Sequence, residues 1–320
     1  MNRIRRWTLC FAFLLMTTGP VFSAIPERII SMSPAATEIL FALSLGERLV
    51  GITRFCDYPP EAAKIPKVAS LLDINLETLL SIAPDFMVLD NLNESLKERI
   101  ERLGITTFVL HHETLKELCD SIEELAAACS VFERGKILAD SMRARFFQAE
   151  ALTRSLPRPK VVAAVDRDIT DPVIRSLYIA GKNSFYDELI YLAGGRNAFT
   201  IEGLSYPRLT AEGLIGLDPD LIIDIVGDHG FRDGVRPDNL LTQWDSRPEL
   251  RAVKEKHIYL LAGNYALHPG PRLVLLLQDF LTFIHPELKL SDPKPSDPAP
   301  APSEPKLTEL AYSDRIPPAK

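Results

Sequence analysis

The 320-residue chain is 46% apolar and 25% charged, with 36 Lys and Arg against 43 Asp and Glu and a formal net charge of −7. That size and composition suit one large or two medium globular domains with a sizeable core. The acidic balance excludes a nucleic-acid binder, which calls for clustered Lys and Arg.

Arg3, Arg5 and Arg6 precede an apolar run from Trp7 to Met16, and small residues lead to Val21-Phe22-Ser23-Ala24. This is the pattern of a secretory signal peptide over residues 1–23. The run falls short of the roughly 20 residues that a bilayer span needs. Its removal takes three Arg and no acid, so the mature charge is 33 − 43 = −10. Cys56, Cys119 and Cys129 remain, and an odd number leaves at least one without an intrachain partner. Cys119 and Cys129 lie on one helical stretch, separated by about 15 Å of rise, too far to bridge. No disulfide framework is expected.

From residue 24 the chain alternates short apolar strands with amphipathic helices. Arg28–Met32 reads as a strand. Ser33 caps a helix with Pro34 at its first position, which runs through Leu43 and stops at Gly46. Strands follow at Leu49–Ile52, Phe86–Leu89 and Thr106–Leu110, with helices after Asn75 and over Leu96–Leu103. The order predicts an N-terminal α/β lobe, 24–130, with a mainly parallel sheet. Leu115 to about Leu156 reads as largely helical, and residues 131–157 as a connecting helix. A second lobe, 158–288, holds strands at Val161–Val165, Leu221–Val226 and His257–Leu261, and helices at Ser184–Leu192 and Pro271–Ile284. The Pro-rich remainder, 289–320, buries too little apolar surface to order itself and reads as a disordered tail.

The two lobes repeat each other. Asn75-Leu-Glu77-Thr-Leu-Leu-Ser-Ile-Ala-Pro84-Asp85 matches Thr210-Ala-Glu212-Gly-Leu-Ile-Gly-Leu-Asp-Pro219-Asp220 at one offset, 212 − 77 = 135. Glu38-Ile-Leu-Phe-Ala-Leu more loosely matches Glu188-Leu-Ile-Tyr-Leu-Ala. Two similar lobes imply a cleft between them, where small ligands tend to bind.

A series of segments carries a family resemblance: Ser31-Met-Ser-Pro34-Ala-Ala-Thr37-Glu38, Val50-Gly-Ile-Thr, Cys56-Asp57-Tyr58-Pro59-Pro60, Asn75-Leu-Glu77, Gly194-Gly195-Arg196-Asn197, Tyr206-Pro207-Arg208 and Pro269-Gly270-Pro271-Arg272. Taken in order over residues 25–288, the chain resembles the iron-siderophore/cobalamin periplasmic substrate-binding proteins of ABC importers. The resemblance implies two α/β lobes joined by one long rigid helix, with the ligand cleft between them. It implies a periplasmic monomer that takes up a chelate and docks on an ABC permease dimer in the inner membrane. The Asp-Tyr-Pro-Pro segment looks most like the cobalamin binders, so the resemblance implies a corrinoid. Within the same class, the alternatives are a ferric siderophore and haem. A secreted metal-dependent hydrolase is a rival from another class, although no Gly-x-Ser-x-Gly, Walker or His-Glu-x-x-His pattern occurs. The chain is read as a binder rather than an enzyme, with no cofactor of its own.

The same resemblance places Phe55, Leu71, Asp90 and Tyr206 at positions where cobalamin binders line the cleft, with Tyr265 and His268 on the final cleft loop. Asp57, Tyr58 and Arg167 follow strands, where open sheets place ligand loops. Against this stand plainer readings: a covered turn for 55–58, a solvated loop for 166–168, and a capping role for a lone histidine such as His268. Glu77 and Glu212 match the family's permease-docking glutamates. The helix dipole alone favours each acid in a first turn, but it does not explain their equivalence in both lobes. His111-His112-Glu113 alternates across a strand direction and reads as structural.

Overall fold

The computed structural model describes residues 25–69, 76–227 and 237–288, together with the pair 310–311. The expected signal peptide, Leu71 and most of the Pro-rich tail lie outside the described residues.

The first lobe is built on five parallel strands: β1 (Ile29–Ser31), β2 (Leu49–Thr53), β3 (Lys67–Ala69), β4 (Phe86–Asp90) and β5 (Thr106–Leu110), in the order β3-β2-β1-β4-β5. Helices α1 (Pro34–Ala42), α2 (Leu76–Ile82) and α3 (Lys97–Glu101) connect them. Two helices then lead out of the lobe, α4 (Leu115–Ala128) and α5 (Phe132–Thr153). The second lobe comprises β6 (Lys160–Arg167), β7 (Ser176–Ile179), α6 (Phe185–Leu192), β8 (Arg196–Asn197), β9 (Arg208–Thr210), α7 (Ala211–Leu217), β10 (Leu221–Val226), α8 (Pro237–Thr242), α9 (Arg251–Lys254), β11 (Ile258–Ala262) and α10 (Leu273–Ile284). Its sheet is parallel at the centre, β11-β10-β6, and antiparallel on the flank, β6-β7-β9. The short strands β8 and β9 have no apolar run that would mark them in sequence.

The expected single helical stretch is two helices. α4 ends in a Schellman motif: Val131 N–H donates to Ala126 O (2.8 Å) and Ser130 N–H to Ala127 O (3.0 Å), with Ser130 left-handed at φ 58°. No Gly or Pro announces this break. α1 closes the same way on Ser44 (φ 58°) rather than at Gly46. Gly46 is required for a different reason, because a Cβ there would sit 2.4 Å from the Phe41 ring. The tail is not featureless either. Leu310–Ala311 (β12) pairs antiparallel with Leu260 and Tyr259 at the open edge of β11, which covers an edge that would otherwise present unpaired amides.

The internal repeat has a structural cause. α2 and α7 begin 211 − 76 = 135 residues apart, and β4 and β10 begin 221 − 86 = 135 apart. The left-handed residues that end the two helices, Ala83 (φ 49°) and Asp218 (φ 43°), keep the offset. The repeated aspartate ties its strand to the neighbouring one. Asp85 accepts from the amides of Glu27 (2.8 Å) and Arg28 (3.0 Å), and Asp220 accepts from the amide of Lys160 (2.7 Å). Arg28 and Lys160 in turn donate to the last carbonyls of the preceding helices, Ile82 O and Leu217 O. Each Pro-Asp is thus a joint among helix end, strand start and partner strand.

One apolar core runs through α1, α4, α5, α6 and α10 and includes Ile39, Leu43, Leu118, Ile122, Met142, Phe146, Leu189, Leu277 and Phe280. It belongs to both lobes at once. Separate clusters fill the outer face of the first sheet around Ile30, Met87 and Leu89, and of the second around Val162, Ile222 and Trp244. α5, with 22 residues and thus about 33 Å long, packs into the shared core. The lobes are therefore joined by buried surface as well as by chain. Cys56, Cys119 and Cys129 are free and buried, and burial pushes the Cys119 thiol up to about 11 and the Cys129 thiol to about 12.

Candidate functional site

The loop that follows β2 meets the loop that follows β11 across the lobes, and the loops that follow β4 and β5 meet each other. At the floor lies a buried ion pair across the lobes. Arg272, just before α10, donates from Nε (3.0 Å) and Nη2 (2.6 Å) to the two carboxylate oxygens of Glu38 on α1. The two side chains are 2% and 3% exposed. Such a two-pronged geometry is what makes a buried pair affordable in desolvation terms. A Cβ at Gly270 would lie 3.2 Å from Glu38 Oε2, so any side chain there would crowd the pair. The Arg272 guanidinium also lies 3.8 Å over the Tyr58 ring and 5.8 Å from that of Tyr265. Tyr58 is buried and its bond to Pro59 is cis. Tyr265 donates from its hydroxyl to Asp279 on α10 (2.5 Å). Nearby, Asn264 donates to Asp57 across the lobes (2.5 Å).

Above this floor the walls are more open. Phe55 is half-buried with the Arg54 guanidinium 4.8 Å over its ring. Tyr206 is 45% exposed and stands edge-on to Tyr186 at 6.3 Å. Its hydroxyl end is enclosed: burial, followed by the charge of Glu113, pushes the phenol up to about 12. His268 is half-buried. Asp90 closes β4 and is buried, accepting from the Leu92 amide (3.0 Å), with His112 Nε2 at 3.9 Å. His111 contacts Asn91 Oδ1 (2.9 Å), and Asn91 donates to Glu113 (3.0 Å). These residues form a polar rim. Among the described residues no group of three metal-ligating side chains gathers anywhere.

Arg167 does not face the cleft, contrary to expectation. Its side chain is 2% exposed and points into the second lobe. There it grips both oxygens of Asp224 (3.2, 3.0 and 2.8 Å), together with Gln243 and Leu240 O. Trp244 donates to the same Asp224 (2.9 Å). A bulge is the reason: the pairing of β6 with β7 shifts register between Ala164 and Asp166, which breaks strict alternation and turns Arg167 onto the face of Val162 and Ala164, toward Leu240 and Trp244.

A periodic pattern of such lobes and such a floor has known relatives. The periplasmic binding protein family matches residues 29–265. The chain belongs to that family. A vitamin B12-binding protein of Vibrio parahaemolyticus is 27% identical over 275 residues, covering 85% of this chain and 93% of the relative. Among solved structures, the periplasmic vitamin B12-binding protein BtuF of Vibrio cholerae superposes with a TM-score of 0.68 at 26% identity, covering 82% of this chain and 98% of that one. The periplasmic haem-binding protein RhuT of Roseiflexus sp. RS-1 does so with a TM-score of 0.68 at 27% identity, covering 81% and 98%.

Two motifs of this periplasmic binding protein, Pro34-Ala-Ala-Thr37-Glu38 and Pro269-Gly270-Pro271-Arg272, meet in space as the floor pair. Their pairing was not foreseen from sequence. The available signal was a glutamate on the otherwise apolar face of α1. Glu77 and Glu212 are both exposed in the first turns of α2 and α7. Glu212 is held below the usual carboxylate range by its own backbone amide and the Thr210 hydroxyl. The described helices include none long and apolar enough to cross a membrane.

Proposed function

We propose that this periplasmic binding protein captures a corrinoid between its lobes and delivers it, as a monomer, to an ABC permease dimer in the inner membrane. It performs no bond chemistry itself. The observation that carries the ligand class is the charge state of the cleft. Its central cation, Arg272, is neutralised by Glu38 and covered by Tyr58. Asp57 and Glu113 are exposed on the loops after β2 and β5, Asp90 closes β4, Asp166 and Asp168 are exposed at the end of β6, and Arg54 is an exposed base over the Phe55 ring. A flat ligand without net negative charge suits such a site, with Phe55 and Tyr206 offering ring faces to it. The two propionates of haem and the anionic ferric siderophores would meet acids there. The vitamin B12-binding relatives support the same ligand.

Haem is the second reading. It is supported by the likeness to RhuT and by the half-buried His268 on the loop after β11, a side chain able to hold iron. Glu77 and Glu212, equivalent in the two lobes and exposed, are the docking contacts for paired basic sites on a two-fold permease. Calorimetric titration of the mature chain with cyanocobalamin, haemin and a ferric siderophore tests the ligand. Tight one-to-one binding of cyanocobalamin alone is expected. Binding of haemin in its place would reassign the ligand within the family. Trp244 is wholly buried against Asp224 in the second lobe, so its fluorescence is a poor substitute.

A further inference from the structure

A second cavity, of about 690 Å³, opens between α4, α5 and α6, and none of its lining residues is among those facing the cleft. That volume lies within the range of small-molecule sites. Its inner wall is apolar, formed by Leu115, Cys119, Phe146 and Leu192, with the first three buried at 6%, 1% and 9% exposure. Polar groups gather toward α6. Three cations at its edge are already engaged: Lys116 with Asp120, Arg143 with Asp120 and Glu123, and Lys182 with Asp187. Glu188 accepts from the Leu115 amide (2.5 Å). Arg196 differs: it lines the cavity, is exposed, and has no side-chain partner among the described residues. Arg158 adds positive charge nearby, 4.2 Å over the ring of Tyr191, another lining residue.

We infer that this cavity is a second ligand site, taking a monocarboxylate with an aliphatic body, such as a medium-chain fatty acid. The apolar body would lie against Leu115, Phe146 and Leu192, and the carboxylate would pair with Arg196 in the two-pronged geometry that a guanidinium favours. A single negative charge is specified because, of the four lining cations, Lys116, Arg143 and Lys182 are already paired with acids and Arg196 alone has no side-chain partner among the described residues. The apolar wall gives a neutral or doubly charged polar molecule nothing to bury.

The test is calorimetry of the full mature chain with decanoate below its micellar concentration, and with 1-decanol as the uncharged control. Saturable one-to-one binding of decanoate is expected, with decanol at least tenfold weaker. Arg196→Gln should weaken decanoate about tenfold, the loss of one charge-assisted contact worth about 1.4 kcal/mol. Filling the cavity with Cys119→Phe, or narrowing its mouth at the exposed Thr200 with Thr200→Trp should Cys119→Phe fail to fold, should abolish decanoate binding. Cyanocobalamin titrations of the same variants should match the parent, which keeps this site's outcome separate from that of the cleft. No saturable binding, or binding unchanged in Arg196→Gln and in the blocked variant, would overturn the assignment.

Discussion

The two lobes hold the same residue in the same place and use it differently. Glu38 on α1 and Glu188 on α6 occupy matching helical positions, and each reaches toward the opposite half of the molecule. Glu38 meets a guanidinium, with both carboxylate oxygens bonded and the pair sealed from water. Glu188, among the described residues, accepts from the Leu115 amide at the start of α4 and stays half-exposed. Burial, then the neighbouring Asp187 and Glu117, raise its carboxyl above the usual range. A duplicated fold thus fixes where an acid stands without fixing how it is held. The partner supplied by the other lobe decides that, and one seam is a lock while the other is a loose contact.

Breaking the lock should have the largest effect. Arg272→Met takes the guanidinium away from the buried Glu38 carboxylate, a loss of about 3–5 kcal/mol. Urea unfolding should show a much lower midpoint, and adding Glu38→Gln to the same chain should recover part of it. Arg167→Met, which strands Asp224 inside the second lobe, should cost a similar amount. Its cyanocobalamin affinity, read by calorimetry on the folded fraction, should remain that of the parent, separating core ion pairs from ligand contacts.

Smaller effects sharpen the contrast between the floor and the walls. Tyr206→Ala removes a half-exposed ring and should weaken cyanocobalamin about tenfold, roughly 1.4 kcal/mol, with little change in the urea midpoint. Charge reversal at both docking positions, Glu77→Lys with Glu212→Lys, should lower transport into permease-bearing vesicles several-fold while leaving ligand affinity intact. Either single change should do less than the pair.

The loose seam should show the smallest effect and a distinct pH dependence. A carboxyl whose folded value is raised costs stability when ionised. That cost is present at neutral pH and is relieved as pH falls through the raised folded value. Glu188→Gln removes the ionised form, so its urea midpoint should equal or exceed the parent's at pH 7. The difference should vanish on acidification toward the normal glutamate range. A midpoint well below the parent's at pH 7 would show that Glu188 is as firmly held as Glu38.

Much of this architecture was legible in the sequence because it is written in periodic and capping signals. Ser33-Pro34 announced α1, the apolar runs announced the central strands, and the offset of 135 residues proved to be a repeated Pro-Asp joint. The break at Ser130 was not legible, because a serine took the left-handed conformation that usually marks a glycine. Phe55, Asp57, Tyr58, Tyr206 and Tyr265 were singled out from the sequence; of these, Tyr58 and Tyr265 flank the Arg272 guanidinium and Asp57 accepts from Asn264 across the lobes. Arg167 was not assignable without knowing which face of β6 it occupied. The Glu38–Arg272 pair joins residues 234 positions apart, and no local pattern reports a contact at that separation.

A crystal structure of the mature chain grown with cyanocobalamin would test the central claim most directly. The account predicts the corrin ring in the gap between the lobes, touching Phe55 and Tyr206, above an unbroken Glu38–Arg272 pair. Cyanocobalamin bound elsewhere on the chain, or seated in the gap without contact to either ring, would contradict it.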